Sequence, residues 1–175
     1  IPDYHGKAAS EEQLEEAFAE LGGDLALFRE AKAKRATRTL PVDRKVAPPS
    51  VDIDAGEPRQ YGSASKSDNR SAFGNALADV GKRTCNTPGK TPIAVFDCDL
   101  AGSVKVKDFA KACPEHFFEM GIQEHATATV AGASSVGGIL PVWADFGVFG
   151  LAETYNQQRL NDINKTNLTL ALTHV

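Results

Sequence analysis

Glu124 and His125 head a stretch built almost entirely of Ala, Gly, Ser, Thr and Val, GIQEHATATVAGASSVGG over residues 121–138. Two chemistries fit an acid in that place. As the first residue of a helix, Glu124 would be stabilised by the positive end of the helix dipole and do nothing more. A carboxyl group desolvated among apolar neighbours can instead share or donate a proton near neutrality. Two further features sit where parallel sheets collect their ligands, just beyond the ends of apolar runs. Asp99 follows the run Ile93–Asp97, and the aromatic pair Phe146 and Phe149, in DFGVF, follows residues 139–144. His174 closes a third apolar run, residues 168–172. For the two phenylalanines the alternative is plain core packing, and for His174 a structural hydrogen bond.

The elements that must position these residues can be read from periodicity and caps. Ser10 and Gln13 form a capping box ahead of Leu14, Ala17, Phe18 and Leu21 at helical spacing. Gly22 and Gly23 stop that helix, and Asp24 caps a second one through Phe28 to about Lys34. Residues 37–67 hold Pro41, Pro48, Pro49 and Pro58 with several Gly and Ser and little periodicity, which predicts an extended interdomain linker. Beyond it, helices over 69–82, 106–113, 123–136 and 150–160 alternate with strands over 93–97, 117–118, 139–144 and 168–172. That alternation predicts an α/β fold, a parallel sheet in a three-layer α/β/α arrangement. The helix of small residues can approach its neighbours closely but cannot fill space, so it must be sandwiched between other elements.

Composition narrows the function class. The 175 residues are 42% hydrophobic and 24% charged, the balance of a globular protein with enough chain for a core. A formal charge of −4 leaves no excess of cations for a nucleic-acid partner. The local basic run Lys32, Lys34, Arg35 and Arg38 reads as a solvated helix end. No long apolar run or signal-peptide layout points to a membrane. Cys85, Cys98 and Cys113 lack metal-ligand spacing and cannot all pair, which suits a reducing cytoplasm, so the expected localisation is cytoplasmic.

Residues 117–125, FFEMGIQEH, resemble the F-E-x-G-I-x-E-H segment of the transketolase family. The likeness continues through Ala131 and Gly132, DFGVF at 145–149, and Asn161 with Asp162; it runs from about Asp68 to His174. In that family the segment belongs to the domain that binds the aminopyrimidine ring of thiamine diphosphate. The resemblance implies that Glu124 hydrogen-bonds a pyrimidine nitrogen and favours the cofactor's imino tautomer. It also implies that Phe146 and Phe149 wall the pyrimidine pocket and that Asp99 lies beside the cofactor. Ser103 and Arg70 would contact a sugar phosphate, a task for which a guanidinium is suited. His174 would lie near the substrate hydroxyls. Ala152 stands where the family often has a further aromatic residue, which opens one wall of the pocket.

The family holds Mg²⁺ and the diphosphate through a G-D-G…N motif, and these 175 residues contain none. Metal ligands are therefore expected outside this chain, with no metal site within it. His5 to Ala8 resemble the closing portion of the preceding diphosphate-binding domain. Together with the absence of Met at Ile1 and the end after a strand, this predicts a fragment of a longer enzyme. Its parts would be a helical tail of the diphosphate domain (1–36), the linker (37–67) and a pyrimidine-binding domain truncated at its carboxyl end (68–175). The expected reaction is two-carbon ketol transfer between sugar phosphates, by a homodimer or by this chain with a complementary diphosphate-domain chain. Alternatives are another thiamine enzyme (deoxyxylulose-phosphate synthase or a 2-oxoacid dehydrogenase beta subunit) and a non-catalytic assembly module of the same fold. A different nucleotide-binding domain is disfavoured, because no strand leads into G-x-G-x-x-G.

Overall fold

The computed structural model describes residues 8–38 and 50–174; His5, Gly6, Lys7 and residues 39–49 of the expected linker lie outside that description. The chain divides into two compact units between Val46 and Ala47. The first is a pair of helices, α1 (Glu11–Leu21) and α2 (Leu25–Ala36). The predicted capping box forms: Ser10 Oγ accepts from Gln13 N and Gln13 Oε1 from Ser10 N. Asp24 caps α2 through Leu27 N. Phe18 packs on Phe28 at 5.1 Å between ring centres, and Arg29 pairs with Glu15 at 2.7 Å. Neither helix has a buried residue.

The second unit is built on a four-stranded sheet of order β2-β1-β3-β4, parallel throughout. Its strands are β1 (Ile93–Asp97), β2 (Phe117–Glu119), β3 (Leu140–Phe146) and β4 (Thr169–Thr173). Helices α3 (Asn69–Thr84) and α4 (Lys107–Ala112) cover one face, and α5 (Glu124–Val136) the other, followed by α6 (Tyr155–Ile163). The expected three-layer α/β/α sheet is present. Every residue of β1 is buried, as a strand covered on both faces requires. On the α3–α4 side the core joins Leu77, Val95, Val104, Val106, Phe109 and Val142; on the α5 side Phe96 and Trp143 meet Ala128 and Ala131. The small residues therefore do what their sizes predict, letting α5 lie flat against two large buried side chains.

Two local expectations change. The helix expected over 150–160 is two pieces: a π-helical turn over Val148–Glu153, then α6 from Tyr155. The buried Thr154 hydroxyl, donating to Gly150 O at 2.7 Å, ties the turn to the helix. Strand β3 runs to Phe146 rather than stopping at 144, because Phe146 pairs with Thr173 in register. The described part of the proline-rich segment, residues 50–67, is extended and held against the body. Asp52 N donates to Thr91 Oγ1 and Asp52 O accepts from Thr91 N, Asp54 N donates to Thr84 Oγ1, and Arg83 donates to Asp54 O and Ala55 O.

Candidate functional site

All strands point the same way, so the loops after β1, β2, β3 and β4 gather at one edge of the sheet. Every sequence-predicted site residue lies at that edge or at the start of α3. The largest linked group centres on Arg70, in the first turn of α3. Its Nη1 donates to Ser103 O (3.1 Å) and lies 3.0 Å from His174 Nε2. His174, in a left-handed conformation (φ 53°), packs on the half-buried Phe146 with ring centres 4.3 Å apart. Phe146 in turn stacks on Phe149 at 6.0 Å. The loop after β1, the end of β3 and the end of β4 are thus joined through one guanidinium and two aromatic rings. Arg70, Phe73, Leu172 and His174 line a cleft of about 620 Å³ beside β4.

Asp68 caps α3, accepting from Ser71 N and Ser71 Oγ at 2.9 Å each. The Ser71 N–H bond first, then the hydroxyl, hold this carboxyl below its ordinary range. It supplies a negative charge 3.8 Å from Arg70 Nε.

Glu124 opens α5 half-buried, without a capping side chain at Gln123. Beneath it lies a buried polar group that the sequence reading missed. Asp145, on β3, is fully buried; its Oδ1 accepts from Phe146 N at 2.6 Å. Its Oδ2 has no hydrogen-bond partner, although the Trp143 indole and the Cys98 thiol lie beside it. Burial raises the carboxyl to about 6, with the charge of Glu124 adding to the rise. Cys98 donates to Thr127 Oγ1 (3.3 Å), and burial raises its thiol to about 11. His125 is exposed.

Asp99 is exposed and left-handed (φ 60°). Its N–H donates to Glu119 Oε1 at 2.8 Å, and Gly121 N donates to the same oxygen at 3.0 Å. Asp97, fully buried, accepts Leu100 N and Ala101 N on Oδ2 at 2.9 and 2.8 Å. Asp97 and Glu119, also missed, were legible as acids ending two neighbouring apolar runs; only strand register shows that they face each other. Among the described residues no group of three or more His, Cys, Asp or Glu could hold a metal ion, and no helix is long and apolar enough to cross a membrane.

A parallel three-layer sheet with acids, an arginine and aromatic rings gathered at its carboxyl edge defines the class as an α/β domain. The family model "Transketolase, pyrimidine binding domain" matches residues 65–175, and the chain belongs to that family. A 1-deoxy-D-xylulose-5-phosphate synthase of Clostridium botulinum (strain Alaska E43) is 33% identical over 78 residues, 45% of this chain and 12% of that protein. A putative transketolase C-terminal section of Methanocaldococcus jannaschii is 29% identical over 106 residues, 60% of this chain and 32% of that protein. A solved split-gene transketolase, an inactive beta4 tetramer, aligns at TM-score 0.49 and 38% identity, covering 59% of this chain and 33% of that one. The chain spans at most a third of the length of these proteins.

Proposed function

We propose that this chain supplies the pyrimidine-binding half of a thiamine-diphosphate site in an enzyme that transfers a two-carbon ketol unit between sugar phosphates. The observation that carries the reading is the convergence of Glu124, Phe146, Phe149, Asp99, Arg70, Ser103 and His174 on one sheet edge within a domain of this family. The residues fit the cofactor's ring. Phe146 and Phe149 offer a stacked aromatic wall, and Glu124 offers a half-buried carboxyl that no described side chain engages. When bound, thiamine diphosphate would supply the carbanion chemistry.

The chain's own residues orient and polarise. Glu124 would meet the ring from the head of α5, where its half-buried carboxyl would form a hydrogen bond with a ring nitrogen. Arg70, anchored on Ser103 O, presents its remaining N–H groups to a phosphate, and His174 faces the same cleft. Mg²⁺ and the diphosphate would be held by residues outside this chain, in a partner protomer or a complementary diphosphate-domain chain. The domain boundaries 1–36, 37–67 and 68–175 and a cytoplasmic location belong to the same reading.

Names among the relatives favour a second reading, formation of 1-deoxy-D-xylulose 5-phosphate. The test is an assay of this chain, alone and with a chain carrying G-D-G…N, for both ketol transfer and that product. Ketol transfer only in the mixture is expected. Turnover by residues 1–175 alone would refute the half-site, and 1-deoxy-D-xylulose 5-phosphate as the product would decide for the second reading.

A further inference from the structure

Asp97 and Glu119 end β1 and β2 as register partners, so their side chains leave the same face of the sheet side by side. Two ionised carboxylates there would repel each other, and neither can donate a hydrogen bond. Their outer oxygens are already committed. Asp97 Oδ2 accepts Leu100 N and Ala101 N, and Glu119 Oε1 accepts Asp99 N and Gly121 N. Asp97 Oδ1 is buried without a donor. One proton between the two carboxyls would satisfy that oxygen and remove the repulsion.

We infer that Asp97 and Glu119 share a single proton, and that this carboxyl pair positions the two loops that carry Asp99 and Ser103 on one side and Glu124 on the other. The pair binds four backbone N–H groups, three in the loop after β1 and one at Gly121, three residues before Glu124. Ser103 follows from the same loop, its N–H donating to Leu100 O at 2.7 Å. Burial raises Asp97 to about 7, with Glu119 as the second cause. Burial also disfavours the ionised Glu119, but the Asp97 bond and the N–H groups of Asp99 and Gly121 outweigh it and keep that carboxyl below its ordinary range. Asp97 is the fully buried member of the pair and Glu119 the exposed one, so the neutral form costs least on Asp97. Glu119 is the charged side chain acting on Asp97 among the described residues. The loops' bearing on catalysis rests on the proposed cofactor reading; the shared proton does not.

The test is a carboxyl-carbon NMR titration of Asp97 and Glu119 in the folded protein, with the amide signals of Asp99 and Gly121 followed alongside. One carboxyl titrating near pH 7, with both amides moving at the same midpoint, is expected. Two carboxyls that both titrate in the ordinary range, or amides that do not follow, would overturn the inference. Amide substitutions give a second readout. Asp97→Asn or Glu119→Gln can each still donate one N–H across the pair, so either alone should leave the Asp99 and Gly121 amides in place and abolish the titration. The double variant sets two NH₂ groups against each other and should lower the Tm by more than the sum of the singles. Additive single and double variants would count against a shared proton. In wild type the Tm should fall by roughly 5 °C between pH 6 and 8 relative to Asp97→Asn, because a raised carboxyl loses its stabilising proton as pH rises through its folded value.

Discussion

Arg70 Nη1 and His174 Nε2 lie 3.0 Å apart, between residues separated by 104 positions in the chain. A guanidinium only donates, so Nε2 is the acceptor and the ring proton sits on Nδ1. Nδ1 in turn donates to Thr173 Oγ1 at 2.9 Å. The contact joins the first turn of α3 to the end of β4 and selects the tautomer of His174.

Lysine at position 70 keeps the charge but cannot serve Ser103 O, His174 and a phosphate at once. Arg70→Lys is expected to raise the KM for a sugar phosphate about 10- to 100-fold, the loss of one or two charge-assisted hydrogen bonds. Steady-state kinetics of the assembled enzyme measure this. An unchanged KM would remove Arg70 from the phosphate site.

Removing the carboxyl of Glu124 tests the cofactor reading directly. Glu124→Ala should lower kcat at least ~100-fold in the assembled enzyme, the scale of a positioned proton carrier. Its effect on stability should be small, about 0.3–1 kcal/mol, since the side chain contributes little beyond its favourable place at a helix start. Full activity in this variant would sink the role. A large loss of stability would show instead that the acid is structural.

Gly132 is where α5 touches α6. A Cβ there would overlap the Asn161 side chain, whose Nδ2 donates to Ala128 O at 3.0 Å. Gly132→Ala should break that bond, push α6 outward and cost roughly 1–3 kcal/mol. Denaturant unfolding would detect it. Gly22→Ala, open in space but left-handed (φ 64°), provides a contrast in which strain acts without overlap.

Asp145 gives a pH signature. Its folded value is raised to about 6 by burial, so its contribution to stability is present below the ordinary aspartate range and is lost as pH rises through about 6. Above that, the fold holds a buried charge with one oxygen unpartnered. Asp145→Asn should therefore raise stability by roughly 1–3 kcal/mol at pH 8 and change little at pH 4. Calorimetry across that range decides. An equal effect at both pH values would show that the carboxyl is not neutralised by burial.

Much of the architecture could be read from local pattern, because local pattern causes it. The capping box at Ser10, the cap at Asp24 and the fully apolar run of β1 act within a few residues of themselves. The π-helical turn at Val148–Glu153 could not be read, because the Gln158 and Thr154 side chains that satisfy Gly150 O act from the following helix. Residues 50–59 read only as part of an extended linker because the groups that bind them, Thr84, Arg83 and Thr91, come 28 to 39 positions later.

The same division runs through the site. Sequence alone determined that Glu124 heads a small-residue helix and that Asp99 follows a buried strand. Each follows from residue type and short spacing. Only the tertiary structure decided that Asp97 faces Glu119, that Asp145 is buried beneath Glu124, and that Arg70 meets His174. The reason is strand order. In β2-β1-β3-β4, neighbours across the sheet are not neighbours along the chain, and which carboxyls meet depends on hydrogen-bond register between strands that no local pattern encodes.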